Sequence, residues 1–330
     1  MIRILYRTPS GHLRTDVTKD ELGTVLAEQG GLLWLDLTGE PPDQCEPILR
    51  ETFAFHPLAV EDVLHQVHVP KLDSWGEYLL AILHAVVSSE GPAQQAKIGS
   101  QELDAFLGTS YLVTFSEQPI DAVQRVWEAC QRDTRHLESG ADHILYLLAD
   151  ALATNAISVV EQMRGHIDRI EDQLFENPTP QTLEQIFTLK RAILRLRRTL
   201  SPQSEVLGRL SREDYPMIDA RDRAYFRDVY DHYVRLDVLN ESLRELVVGA
   251  VDTYLSLVNN RMNEAMRTLA VITTLFMPIS FLAGFFGMNF FGPVASLDIW
   301  TDKPILFVTL GLMLALPVGM YSWIRRRGWM

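Results

Sequence analysis

The chain has 330 residues and a formal net charge of −13, which argues against nucleic-acid binding because that function needs clustered lysine and arginine. Hydrophobic residues make up 47% of the sequence, so a membrane-embedded part must be a minority of the chain. The N-terminal sequence has too short an apolar run for a signal peptide. The two cysteines are far apart and lack metal-ligand spacing. We therefore expect the large N-terminal part to stay in the cytoplasm.

Residues 1–118 are predicted to form an α/β domain. Short β-prone runs alternate there with Gly and Pro: Ile2–Arg7, Leu32–Leu37, Tyr78–Val87, Glu102–Leu107 and Tyr111–Ser116. Between them, Asp43–Phe53 and Pro57–Leu64 are predicted to be short helices. Strands mixed with helices in one segment favour a layered α/β architecture, but the pattern does not predict the strand order.

Residues 119–218 are predicted to be a helical part of the same domain. Helical spacing covers Pro119–Leu137, Asp142–Phe175 and Gln181–Leu210. The prolines at 178 and 180 separate the last two helices. These two long helices are predicted to form an antiparallel hairpin, with Pro202 as a site where the second could kink.

Residues 219–289 are predicted to form one stalk helix that continues into the membrane. Between Asp219 and Phe286 the chain has a single proline, Pro278, and a helix of that extent would be roughly 100 Å long. That length is about three times the hydrocarbon thickness of a bilayer. Its last part, Thr268–Asn289, carries no charge and is predicted to be a transmembrane helix.

One face of this helix carries small, polar or thioether side chains. Alternating steps of three and four residues keep to one helix face and lead from Asn263 to Met266, Ala270, Thr273, Met277, Ser280, Gly284 and Gly287. The same steps taken backwards lead to Asn259, Ser256, Asp252 and Gly249. Several copies around an axis would enclose a polar, water-accessible tube. The alternatives are a solvated cytoplasmic face for residues 252–259 and plain helix packing for Met266 and Met277.

A second uncharged span, Pro304–Ile324, is predicted to return the chain to the side from which it came. Residues 290–303 would then be a short external loop. The C-terminal residues 325–330 form a basic tail, and basic residues mark the cytoplasmic side. The sequence therefore predicts a multi-pass membrane protein with both termini in the cytoplasm, its tail anchored at the membrane surface by Arg325, Arg326 and Arg327.

Several motifs on the long helix resemble those of the CorA family of magnesium channels. The tripeptide Gly287-Met288-Asn289 ends the first of two C-terminal spans, and Tyr225–His232 is similar to the family's stalk motif. Further segments fit the family in register without gaps: Val251–Ser256, Asn263-Glu264, Phe276–Pro278 and Phe281–Gly284. Val69–Leu72 and Tyr111–Phe115 are weaker similarities in the N-terminal domain.

The resemblance implies an α/β cytoplasmic domain followed by a long stalk helix and two C-terminal transmembrane helices, assembled as a funnel-shaped homopentamer. It implies a passive channel of the inner or plasma membrane rather than an enzyme. The channel would conduct Mg²⁺, with Co²⁺ and Ni²⁺ as further candidates. Cytoplasmic Mg²⁺ bound between subunits would close it. Its partners would be divalent cations, membrane lipid and further copies of the chain.

The resemblance also implies roles for single residues. Gly287, Met288 and Asn289 would form the selectivity filter at the external mouth, and Asp252 an acidic ring below the membrane. Leu269 would contribute to a hydrophobic constriction. The residues that would line the pore are Asn263, Met266, Leu269, Thr273, Met277, Ser280 and Gly284.

The regulatory ion is expected at carboxylates on the stalk. Asp228 matches the family's carboxylate that shares an ion with the neighbouring subunit, and Asp231 lies one turn further along the helix. We assign Asp104 as the partner carboxylate, although no motif identifies it. The mouth departs from the usual pattern, since Phe286 stands where the family usually has Tyr, and the following loop lacks the frequent acidic motif.

Other functions remain open at this point. A zinc transporter of the same superfamily would differ at the mouth motif, and a membrane-tethered sensor or scaffold without transport would not need a polar stripe. His65 and His68 have the spacing of a helical metal pair, but no third ligand lies near in sequence, and a structural role is favoured.

Overall fold

The computed structural model describes residues 1–65, 68–91, 95–288 and 303–326. It divides into two compact units, Met1–Thr253 and Tyr254–Met330. The predicted external loop, with Asn289, and the end of the basic tail, with Arg327, lie outside the described residues.

The first unit is organised around a mixed β-sheet. Its strands are β1 Ile2–Arg7, β2 Leu13–Arg14, β3 Leu32–Thr38, β4 Lys71–Ser74, β5 Leu79–Gly91, β6 Gln95–Leu107 and β7 Tyr111–Ser116. In the part of the chain that the structure describes, they form one seven-stranded sheet in the order β2-β1-β3-β7-β6-β5-β4. The pair β3–β7 is parallel, and the other neighbouring pairs are antiparallel. The chain between β3 and β7 provides the crossover that a parallel pair requires.

One face of this sheet is covered by short helices. They are α1 Leu22–Ala27, α2 Pro42–Pro47, a π-helical turn Ile48–Thr52 and α3 Pro57–His65. Alternate residues of β3 point to this face, where Leu33, Leu35 and Leu37 join a buried cluster with side chains from α1 to α3. Burial of such apolar side chains supplies the main stabilisation of the layer.

The other face is covered by three longer helices: α4 Asp121–Arg132, α6 Ala141–Glu176 and α7 Pro180–Arg212. The four-residue helix α5, Arg135–Glu138, lies between α4 and α6 in the chain. Trp34 of β3 points to this side, and its ring centroid lies 4.8 Å from that of Trp127 on α4. The sheet is therefore sandwiched between helices. The helix predicted over Pro119–Leu137 is in fact two, because Asp133 is extended and its carboxylate accepts the Arg135 N–H at 3.1 Å, which begins α5.

The two C-terminal helices follow. Helix α8 runs without a break from Ala220 to Gly287, 68 residues, and α9 from Lys303 to Arg326. Among the described helices, α6, α8 and α9 are long and apolar enough to cross a membrane. Half of the most apolar segment of α6 is buried by the rest of the protomer, whereas none of the most apolar segment of α8 is buried. We conclude that α6 is a core helix, whereas the apolar segments of α8 and α9 are those of a membrane protein.

Candidate functional site

The polar stripe lies on an uninterrupted helix. Every residue from Asn263 to Ser280 belongs to α8, so the steps of three and four do put the stripe on one helix face. All of the predicted pore-lining side chains are exposed in the protomer, including Met266, Leu269 and Met277 at 54%, 65% and 70%. Their pore-lining role itself remains a prediction.

The apolar side of the same segment is exposed as well. Phe276 and Phe281 are 61% and 70% exposed, and the most apolar window of α8 is not buried by other described residues. Exposed apolar surface of this extent is not stable in water. The segment therefore requires a cover of lipid or of further copies of the chain.

Thr273 illustrates how a hydroxyl group is accommodated on this helix. Its Oγ1 donates to the carbonyl of Leu269 at 2.9 Å, one turn earlier, which satisfies the donor within the helix. The lone pairs of the same oxygen remain able to accept a hydrogen bond. A water molecule of a hydrated cation could supply that bond.

The predicted mouth is described only in part. Helix α8 ends at Gly287, and the Met288 N–H donates to the carbonyls of Gly284 and Phe285 at 3.2 and 3.3 Å. The Met288 side chain is exposed. Asn289 and the side chain of Phe286 lie outside the described residues, as does the loop that follows.

The predicted stalk carboxylates Asp228, Asp231 and Asp252 are exposed residues of α8. The structure adds a fourth carboxylate that sequence reasoning missed, Asp150 on α6. Burial raises the pKa of Asp150, and the negative charge of Asp228 acts in the same direction, while His232 opposes it. Asp150 and Asp228 therefore lie within electrostatic range of each other in one protomer.

Asp104 occupies a different environment from the stalk carboxylates. It lies on β6 and is only 2% exposed. Burial raises its pKa well above the usual value, and the neighbouring charge of Glu102 adds to this. A carboxyl group covered by its own protomer is not available to a neighbouring subunit, so this burial argues against the shared regulatory site that we predicted for Asp104.

A second acidic cluster joins the starts of two helices. One oxygen each of Asp142, Asp219 and Asp222 lies within 4.8 Å of the others. The Asp142 Oδ2 accepts the Asp219 N–H at 2.9 Å, and Asp222 Oδ1 is 3.0 Å from His143 Nδ1. Acidic side chains are favoured at helix N-termini, so these contacts already account for the cluster as a structural joint between α6 and α8.

The structure describes the first two residues of the predicted basic tail. Arg325 and Arg326 end α9 with exposed side chains. Their place at the C-terminal end of an apolar helix is compatible with the predicted membrane-anchoring role, which remains a prediction.

Comparison with known proteins places the chain in the family whose motifs it resembles. Residues 29–326 match the family model described as CorA-like Mg²⁺ transporter protein. The chain is 30% identical over 298 residues to the cobalt/magnesium transport protein CorA of Thermotoga maritima, covering 90% of this chain and 83% of that protein. It is 26% identical over 300 residues to the zinc transport protein ZntB of Pectobacterium carotovorum, covering 90% and 88%.

The fold has a counterpart among solved structures. The complete structure of the CorA magnesium transporter from Methanocaldococcus jannaschii superimposes with a TM-score of 0.83 and 19% sequence identity. The similarity covers 100% of this chain and 99% of that chain. At this identity the similarity concerns the fold alone: an N-terminal α/β domain, a long helix and C-terminal apolar helices.

Proposed function

The chain belongs to the family of CorA-like Mg²⁺ transporter proteins, and on that premise we propose that it is a passive Mg²⁺ channel of the cell inner membrane. The observation that carries this proposal is the stripe of polar and small side chains on the apolar part of α8, which ends at the tripeptide 287–289. Family members are transporters rather than enzymes. In this proposal Mg²⁺ is both the transported ion and the regulatory ion.

We further propose a funnel-shaped homopentamer in which α8 of each subunit lines the pore. One feature supports assembly. Lipid offers no hydrogen-bond partner to the polar side chains of the stripe, such as Asn263, Thr273 and Ser280, whereas a pore enclosed by several copies would keep them in water. Both termini would lie in the cytoplasm, because the arginines that end α9 belong on that side.

The chemistry of the stripe suits a strongly hydrated cation. Mg²⁺ dehydrates reluctantly and usually keeps several of its waters when bound. The amide oxygens of Asn263 and Asn289 and the Thr273 hydroxyl can accept hydrogen bonds from those waters. Met266, Leu269 and Met277 offer no ligand for a hard cation, and we assign them to a constriction that closes by dewetting.

We propose that gating depends on the carboxylates at Asp228 and Asp231. Both are exposed on α8, where a neighbouring subunit could reach them, and Asp150 adds negative charge beside Asp228. Without an ion these groups repel a neighbouring carboxylate, and with Mg²⁺ bound they attract it. Ion occupancy thus stabilises the closed assembly, and a fall in cytoplasmic Mg²⁺ releases it.

Asp228→Ala is expected to weaken the protection from proteolysis that Mg²⁺ gives the full-length protein. Even substitutions of groups that only support a metal ligand typically cost about 10–100-fold in metal affinity. Half-protection should therefore need more than about tenfold higher Mg²⁺. Asp172→Asn, which neutralises an exposed carboxylate on α6, serves as the control. Unchanged protection in Asp228→Ala would reject this gating role.

A zinc transporter is the second candidate, and the similarity to zinc transport proteins supports it. The intact tripeptide Gly287-Met288-Asn289 favours magnesium. A sensor or scaffold without transport is disfavoured by membership of a transporter family. Ion flux into liposomes that hold the purified protein separates these functions.

A further inference from the structure

A cavity in the cytoplasmic α/β unit is lined mostly by oxygen-bearing side chains. Its volume is about 180 Å³, and it lies where β6 and β7 pass beneath α3. Its apolar wall is formed by Val63 and Phe115. The polar lining consists of Ser100, Gln101, Glu102, Asp104, Glu117 and Gln118.

Two of these carboxylates form a buried pair. Glu102 and Asp104 are two residues apart on β6, so their side chains point to the same face of the sheet. The Asp104 side chain approaches Glu102 closely enough for a hydrogen bond. Asp104 is 2% exposed, and the Glu102 side chain is 15% exposed. Like charges this close and this buried repel strongly.

The pair has oxygens that the described residues do not satisfy. Glu102 Oε2 accepts the His68 N–H at 2.9 Å. The other oxygen of Glu102, Oε1, and the Oδ1 of Asp104 are buried without a hydrogen-bond partner among the described residues. Buried polar atoms are nearly always paired. Two unpaired carboxylate oxygens that border a polar cavity therefore point to an occupant.

Among the described residues, the nearby basic groups form no hydrogen bond with the two unpaired oxygens. Lys71 Nζ is already bonded to Asp62 and Asp73, at 2.7 and 3.1 Å. The His84 Nε2 lies 2.8 Å from the carbonyl of His68. The same nitrogen lies 3.7 Å from Glu102 Oε2, beyond hydrogen-bond distance. His68 is 3.8 Å from Glu102 Oε1, beyond hydrogen-bond distance.

We propose that this cavity binds one divalent cation within each protomer, with Glu102, Asp104 and Glu117 as carboxylate ligands. The side-chain amides of Gln101 and Gln118, which also border the cavity, contact each other at 3.2 Å, with Gln101 as donor to the Gln118 oxygen. An all-oxygen ligand set selects hard cations such as Mg²⁺ and Mn²⁺ over softer ones. None of the residues that line the cavity belongs to the polar stripe, so the site does not depend on the transport function.

Mn²⁺ binding to the full-length protein in detergent tests this site. Electron paramagnetic resonance counts bound Mn²⁺ per chain. Asp104→Asn and Glu102→Gln are each expected to bind one Mn²⁺ fewer per chain than the unmodified protein. Glu117 lies at the exposed rim, so Glu117→Gln cannot disturb the core. It should weaken one class of Mn²⁺ site by about tenfold or more. Asp172→Asn should bind as many ions as the unmodified protein.

The contradicting result is equally specific. If Glu102 and Asp104 instead share a proton, Asp104→Asn and Glu117→Gln will leave both the number and the affinity of bound Mn²⁺ unchanged. That outcome would overturn the site. Ion flux measured on the same variants reports on the channel separately, so a failure of the proposed transport function would not be mistaken for a failure of this site.

Discussion

Replacing Asn289 with alanine is expected to reduce Mg²⁺ flux into proteoliposomes by more than about tenfold. In the proposed channel, the Asn289 amides of the assembled subunits capture the hydrated ion at the mouth. Each lost hydrogen bond costs about 1 kcal/mol, and about 1.4 kcal/mol corresponds to a tenfold change in binding. The substitution removes one such bond from every subunit, so the total loss of binding free energy exceeds the amount that corresponds to a tenfold change. A Mg²⁺-sensitive dye inside the liposomes measures the flux.

The same substitution elsewhere provides the control for Asn289. Asn177 is exposed and directly follows α6 in the cytoplasmic unit, so Asn177→Ala should leave the flux unchanged. Mg²⁺ flux that survives intact in Asn289→Ala would reject the assignment of the filter. That result would not affect the assignment of the chain to its family, which rests on the match over residues 29–326.

Replacing Leu269 with threonine is expected to make the channel leak at high cytoplasmic Mg²⁺. Leu269 is 65% exposed in the protomer, beside the polar stripe. In the proposed pore, a ring of leucines excludes water and so blocks ions. A hydroxyl gains about 1–3 kcal/mol from contact with water relative to an unpaired buried state, and each subunit contributes one. Residual flux under closing conditions should rise by more than about tenfold.

Leu275→Thr is the matched control for this prediction. Leu275 belongs to the same membrane segment but lies away from the stripe, so the substitution has a similar cost in the membrane without wetting the pore. It should leave the closed-state flux low. Equal leakage from the two variants would indicate general damage to the helix and would contradict the constriction at Leu269.

The stalk helix and several strands of this fold were predictable because each has a continuous pattern of apolar residues in the sequence. The expected helix Asp219–Phe286 differs from α8 by one residue at each end, and β1 and β7 have the expected bounds. Strands β2 and β4 were missed. They have two and four residues, too few for an alternating pattern, and their conformation depends on pairing with β1 and β5.

The spatial proximity of carboxylates from different elements could not be predicted in the same way, because it arises from tertiary packing. Asp150 and Asp228 lie on different helices, and sequence spacing carries no sign of their proximity. The sequence around Asp104 does indicate its burial. Leu103, Ala105 and Phe106 around it are apolar and fully buried, and near-continuous apolar residues indicate a strand covered on both faces.

The most direct test of the channel is ion flux through the unmodified protein in liposomes, with Mg²⁺, Co²⁺, Ni²⁺ and Zn²⁺ compared under an inside-negative potential. The proposal predicts Mg²⁺ entry that needs no pH gradient and that falls when the potential is removed, because a passive channel follows the electrochemical gradient of the ion and the potential is one part of it. Zn²⁺ entry that needs a proton gradient, in the absence of Mg²⁺ flux, would contradict it and favour the zinc transporter.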